Sequence, residues 1–175
     1  LNGKPQVLFP CGKQEGGRMR NLVASYNYGS VQEDIIINKD EETGEKTHFS
    51  YNPSTGNPAN PVYFCSNCQK EHKEKPEKCG NCGQDRFNRY KNTSIEIEEL
   101  MENALDNLDM DQPPELLKSF RGMTSEHKHV EPIEKGLLRE KHDLYVNKDA
   151  TIRYDATDIP MTHFKPKEIG VSVEK

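Results

Sequence analysis

Four cysteines constrain this chain more than any other feature: Cys65-x-x-Cys68, ten residues, then Cys79-x-x-Cys82. One Cys-x-x-Cys pair can hold a metal from a single tight turn, and two such turns complete the tetrahedral sulfur shell that zinc takes in structural sites. Gly80 and Gly83 flank the second pair and give the backbone freedom to fold around an ion, while Val62-Tyr63-Phe64 leads into the first pair as a strand. The spacing therefore predicts one structural zinc held by Cys65, Cys68, Cys79 and Cys82. A closed four-sulfur shell has no open position, so the expected role is to hold the fold, not to do chemistry. Redox thiols or disulfides are the competing explanation. They call for an oxidising compartment or a thioredoxin-like βαβ pattern, and the sequence displays neither a secretory signal nor that pattern.

Leu, Ile, Val and Phe make up only 34 of 175 residues, and the mean hydropathy is −0.97. That composition lies at the margin below which a chain buries too little apolar surface to offset the entropy of ordering. The net charge of −5 is small, however, and strand and helix patterns are evident. These facts predict a piece of a larger polypeptide whose neighbours cover part of its surface. The start at Leu1 and the close on Val171-Ser172-Val173-Glu174-Lys175, which reads as the opening of a helix, carry the same expectation. No apolar run approaches the 18 or more residues needed to span a membrane, so the chain is expected to be soluble and cytoplasmic. Cys11, in Pro10-Cys11-Gly12, is expected to be a small buried residue.

The expected class is α+β: short strands and hairpins, a four-cysteine zinc ribbon or knuckle, and a short helical segment. Residues 1–61 form a β-rich segment with a glycine-rich basic loop, 62–92 the zinc module, 93–142 the helical segment, and 143–175 a hairpin and the start of a further element. Within them, 6–9 and 31–38 read as strands, 47–51 alternate in the strand manner, and Glu41-Glu42-Thr43-Gly44-Glu45 has hairpin-turn chemistry. Residues 52–61, with three prolines, read as a linker. A helix is predicted over 94–109. Thr93 and Glu96 would form its capping box, Ile97, Leu100, Met101, Ala104, Leu105 and Leu108 its apolar stripe, and Glu98, Glu99, Glu102, Asp106 and Asp109 its solvated face. Pro113-Pro114 would open another helix carrying Leu116, Leu117 and Phe120, ended by Gly122. A third helix is predicted at 132–141 and a hairpin at 144–154.

Gly12-Lys13-Gln14-Glu15-Gly16-Gly17-Arg18-Met19-Arg20 sets flexible glycines beside three cations, a combination suited to phosphate, although a plain surface turn accounts for the same residues. It lacks the Gly-Lys-Ser/Thr of a Walker loop. The carboxylate pairs Asp109/Asp111 and Asp155/Asp158 could serve a two-metal clamp for nucleotidyl transfer, but Asp109 and Asp111 lie where a helix is expected to end, and Asp is common there and in turns; the histidines have no metal-site spacing. Around the cysteines, Lys70, Lys73, Lys75, Lys78, Arg86, Arg89 and Lys91 exceed the acids by three, with Phe87 and Tyr90 interleaved. Cations beside aromatic rings suit nucleic acid, and so small an excess predicts weak, salt-dependent binding.

Three stretches together resemble one family. They are Cys11-Gly12-Lys13 through Gly16-Gly17-Arg18-Met19-Arg20-Asn21; Tyr63-Phe64-Cys65-Ser66-Asn67-Cys68 through Cys79-Gly80-Asn81-Cys82-Gly83; and Gly136-Leu137-Leu138-Arg139 through Leu144-Tyr145-Val146-Asn147-Lys148-Asp149, Ile152-Arg153-Tyr154-Asp155 and Met161-Thr162-His163-Phe164-Lys165-Pro166. They are similar to the central region of the large subunit of the archaeal family D DNA polymerase. The resemblance implies replicative DNA synthesis, a polymerase site on double-psi β-barrels in the large subunit, and a proofreading exonuclease as the small-subunit partner. It also implies magnesium for the complete enzyme. The family's acidic string, Asn-x-Asp-x-Asp-Gly-Asp, does not occur in this chain, so the magnesium ligands are not expected here. The implied partners are DNA, the rest of the large subunit and the exonuclease subunit, with Lys13, Arg18, Arg20, Arg86 and Arg89 as the expected DNA contacts. A standalone zinc-ribbon factor of transcription or translation is the alternative.

Overall fold

The computed structural model describes residues 4–12, 20–123, 126–127, 129–147 and 151–153. In chain order the elements are α1 (Leu22–Tyr26), β1 (Ser30–Ile36), β2 (Asn38–Asp40), β3 (Lys46–Thr47), β4 (Ala59–Pro61), β5 (Tyr63–Cys65), β6 (Glu71–His72), β7 (Phe87–Asn88), β8 (Tyr90–Glu96), α2 (Ile97–Asn107), α3 (Ile133–Lys141), β9 (Tyr145–Val146) and β10 (Ile152–Arg153). The α+β class, the small antiparallel sheets and the cysteine cluster match expectation.

The organising pair is β1 with β8, antiparallel from Ser30↔Glu96 to Ile36↔Tyr90. Everything between them, residues 37–89, hangs from the far end of this ribbon. Two three-stranded sheets lie there: β3-β2-β4, and the cysteine-bearing sheet β6-β5-β7. An ion pair between Lys46 and Glu71 links the two. Val31, Ile35 and Ile95 of this ribbon enter the main core with Val7, Phe9, Leu22, Ile97, Met101, Leu117, Ile133 and Leu137. The segments expected as the first and third parts of the chain thus share one core.

Pairing redraws four expected elements. The capping box at Thr93 and Glu96 does not form, because β8 runs through both residues and their backbone is committed to β1. Helix α2 instead starts at Ile97, and Glu98 donates its amide to the carbonyl of Gly29, 2.9 Å away. The apolar stripe is as expected, with Ile97, Met101, Ala104 and Leu105 buried. Residues 113–122 are not a helix. Leu22 donates to the carbonyl of Leu117 (2.9 Å), Ser119 to that of Arg20 (2.7 Å) and Cys11 to that of Phe120 (2.7 Å). Residues 117–120 therefore run extended between the 6–11 segment, met in parallel at Pro10, and Asn21, met antiparallel through Lys118. Gln6–Phe9 is extended along the same segment but forms no ladder of its own. Nor is 52–61 a free linker, since Ala59–Pro61 is β4, bound to β2.

Helix α3 seats on the N-terminal segment by close approach. A Cβ at Gly136 would lie 2.5 Å from Cβ of Val7. Arg139 closes the contact: it donates to Glu131 at 2.7 and 2.9 Å and to the carbonyl of Gln6 at 2.8 Å. Within the hairpin expected at 144–154, β9 and β10 pair antiparallel through Ile152↔Val146 and Arg153↔Tyr145, while residues 148–150 and 154 lie outside the described residues.

Candidate metal centre and basic surface

Both Cys-x-x-Cys turns are built alike. In the first, Cys65 donates its amide to the carbonyl of Lys70 (3.0 Å) and Gln69 donates to that of Cys65 (3.0 Å). In the second, Cys79 donates to Gln84 (2.7 Å) and Gly83 donates to Cys79 (2.8 Å). In each turn the residue after the second cysteine takes positive φ: Gln69 at 56° and Gly83 at 72°. Of the two glycines read from the sequence, Gly83 supplies this turn. The matching position in the first knuckle is a glutamine, and no composition cue marks it.

The two turns bring four sulfurs within 4.8 Å of one another, with Cys65 to Cys82 at 3.4 Å and Cys68 to Cys79 at 3.6 Å. A zinc–sulfur bond of about 2.3 Å gives tetrahedral edges of about 3.8 Å, so the donor set fits such an ion. The spacings are far beyond a disulfide bond of about 2.05 Å, and all four thiols are free. Their protonation is uneven. The amide of Lys70, helped by the Asn81 side chain, brings Cys68 down to about 6. The amide of Gln84 lowers Cys82. At Cys65 the amide of Cys68 favours the thiolate, yet burial and the thiols of Cys82 and Cys68 outweigh it and push this group up to about 11. Burial and the neighbouring thiols thus oppose the thiolate at Cys65, and a cation at the centre of the cluster would favour it.

The basic residues singled out from sequence do not converge on one element. Arg20 is exposed, and its carbonyl is held by Ser119. Its neighbour Asn21 ties the chain down: it donates to the carbonyl of Glu115 (3.2 Å) and accepts from Leu117 (3.0 Å) and Val23 (3.1 Å). The glycine-rich loop thus leaves and rejoins the fold along the 117–120 segment. Lys118 and Arg121 of that stretch are exposed cations beside the loop's base, and a reading along the chain missed them because they lie a hundred residues away. Lys13 and Arg18 fall outside the described residues. Arg86 is exposed beside the second cysteine turn, and its carbonyl accepts from Ser66 at 3.0 Å. Arg89 is half-buried at the head of β8, with a buried Nε that has no partner. Asp109 and Asp111 are exposed at the end of α2, where Asp109 has φ of 50°, a turn geometry and not a metal clamp. Asp155, Asp158 and His163 lie outside the described residues. Cys11 is buried in the core, and burial raises its pKa. No helix among the described residues is long and apolar enough to cross a membrane.

Residues 110–175 match the family model of the DNA polymerase II large subunit DP2, catalytic domain. The DNA polymerase II large subunit of Archaeoglobus fulgidus is 38% identical over 183 residues, which take in 100% of this chain and 16% of that protein. Its counterpart from Pyrococcus horikoshii is 40% identical over 97% of this chain and 12% of its own length. That from Nanoarchaeum equitans is 34% identical over 100% and 16%. The chain belongs to the DNA polymerase II large-subunit family. It spans about a sixth or less of the lengths of these relatives. The cysteine cluster lies outside the match to the catalytic-domain model, but the relatives align across nearly the whole chain and so take it in.

Proposed function

We propose that this chain serves as the zinc-bearing part of the polymerising subunit of a replicative archaeal DNA polymerase. In this reading Cys65, Cys68, Cys79 and Cys82 hold one structural zinc ion, and Lys13, Arg18, Arg20, Arg86 and Arg89 face DNA. The observation that carries it is the similarity of nearly the whole chain to DNA polymerase II large subunits at 34–40% identity. The zinc assignment adds the sulfur spacing, which fits a tetrahedral ion. When bound, zinc supplies a closed cross-link between the two knuckles and no reactive position.

Nucleotidyl transfer needs clustered carboxylates to clamp magnesium ions about 4 Å apart. The acidic string Asn-x-Asp-x-Asp-Gly-Asp of the family does not occur in this chain, so the magnesium ligands are assigned to other parts of the subunit. The working assembly is then this segment, the remainder of the large subunit and an exonuclease small subunit, acting on DNA in the cytoplasm. The test is exchange: graft residues 1–175 in place of the aligned segment of the Archaeoglobus large subunit, and assay primer extension together with its small subunit. Extension within a few-fold of the parent supports the assignment. A soluble, zinc-loaded chimera that binds no primer–template would favour a standalone zinc-ribbon factor instead.

A further inference from the structure

His72 stands four residues after the first knuckle, yet its ring reaches the second. Strand β6 pairs with β5 in the register Tyr63↔His72, which turns the imidazole toward the cysteines. Nε2 lies 3.6 Å from Sγ of Cys79, within hydrogen-bond range for sulfur. The ring is not free to drift. It stands edge-on to Phe87, with centroids 5.3 Å apart and planes at 88°, and Phe87 is buried opposite Cys65 on β7. His72 also lines a cleft of about 420 Å³ with Lys39, Glu42, Asn60 and Val62.

We propose that His72 is a positioning residue for the metal centre, donating Nε2–H to the Cys79 thiolate and so locking the second knuckle onto the ion. The inference rests on the cysteines being a metal site, and it adds a role for a histidine outside the Cys-x-x-Cys pattern. A metal with four thiolates carries a net −2, and N–H donors aimed at sulfur spread that charge and hold each ligand in place. Cys79 is almost fully buried, so solvent is poorly placed to provide this service and a side-chain donor counts for more. Loss of such a partner elsewhere costs 10- to 100-fold in metal affinity.

The experiment uses the full chain loaded with zinc or with cobalt(II) as a spectroscopic probe. Zinc release to a chromogenic chelator and the sulfur-to-cobalt charge-transfer bands are recorded for the parent, His72→Phe and His72→Gln. His72→Phe keeps the ring contact with Phe87 and loses the donor; His72→Gln regains an N–H. The expected result is one metal per chain in all three, release about 10- to 100-fold faster in His72→Phe with shifted cobalt bands, and partial recovery in His72→Gln. Parent-like release and spectra in His72→Phe would show that the ring is packing alone. Loss of stoichiometric metal in His72→Phe, with retention in Cys82→Ser, would make His72 a ligand and overturn the donor role. A parent that binds no metal rejects the zinc site itself, a separate outcome.

Discussion

Gly136 has no side chain because Val7 occupies the space a Cβ needs, 2.5 Å from Val7 Cβ. Alanine normally improves a helix interior by about 1 kcal/mol over glycine. Here the overlap reverses the sign, and we expect Gly136→Ala to cost about 1–3 kcal/mol, read from the denaturant midpoint. Because the clash is with Cβ itself, shortening Val7 to Ala does not relieve it; a double variant as stable as the parent would contradict this packing. Arg139 faces a different test. With side-chain exposures of 11% and 19%, Arg139 and Glu131 are largely desolvated. Burial raises the Glu131 pKa, and the hydrogen bonds from Arg139 and the Leu8 amide more than reverse this, leaving it lowered. Arg139→Ala strands that carboxylate and should cost about 3 kcal/mol or more. Asp40 is fully buried, and the Asn52 side chain, followed by the amides of Glu42 and Thr43, lowers its pKa strongly. A depressed carboxylate contributes stability above about pH 4 and loses it as pH falls toward the folded value. The parent should therefore lose its stability advantage over Asp40→Asn as pH drops from about 4 to 2, and a constant difference would count against it. The sequence showed the cysteines because local spacing encodes them. It hid Gln69 and His72, whose roles come from φ and from strand register.

At the scale of elements, what sequence reveals is what neighbours in sequence determine. The α2 stripe at Ile97, Met101, Ala104 and Leu105 is periodic and was legible. Its start was not, because the competitor of the Thr93–Glu96 box is β1, some sixty residues earlier. The same holds for 113–122, where the prolines suggest a helix start and the actual partners are residues 6–11 and 20–22. The cysteine module hangs from the far end of the β1–β8 pair, and its buried residues Cys65, Cys79 and Phe87 form a cluster apart from the main core. Cys79→Ser should then release the metal and unfold residues 62–88 while the main core stays intact. Hydrogen exchange would read this as fast amides in β5–β7 beside protected ones in α2 and α3. Loss of protection in both regions together would show that the two clusters fold as one unit.

For the molecule as a whole, the proposed function has this chain hold DNA while the magnesium ligands lie elsewhere in the subunit. The purified chain should not extend a primed template. Magnesium-dependent incorporation abolished by Asp109→Ala/Asp111→Ala would place the active site at the end of α2 instead. Family membership was legible in three stretches of sequence. Part of what those stretches encode is packing: Gly136 and Arg139 seat α3, and Asn21 anchors the glycine-rich loop. The most direct measurement is primer–template binding by the zinc-loaded chain across a salt series, for the parent and for Arg20→Ala/Arg86→Ala. Each lost phosphate contact removes about 0.9 from the slope of log affinity against log salt. The expected result is salt-sensitive binding by the parent and a slope shallower by about 1.8 in the double variant, with zinc content unchanged. Equal slopes, or a parent that binds no primer–template at any salt, would contradict it.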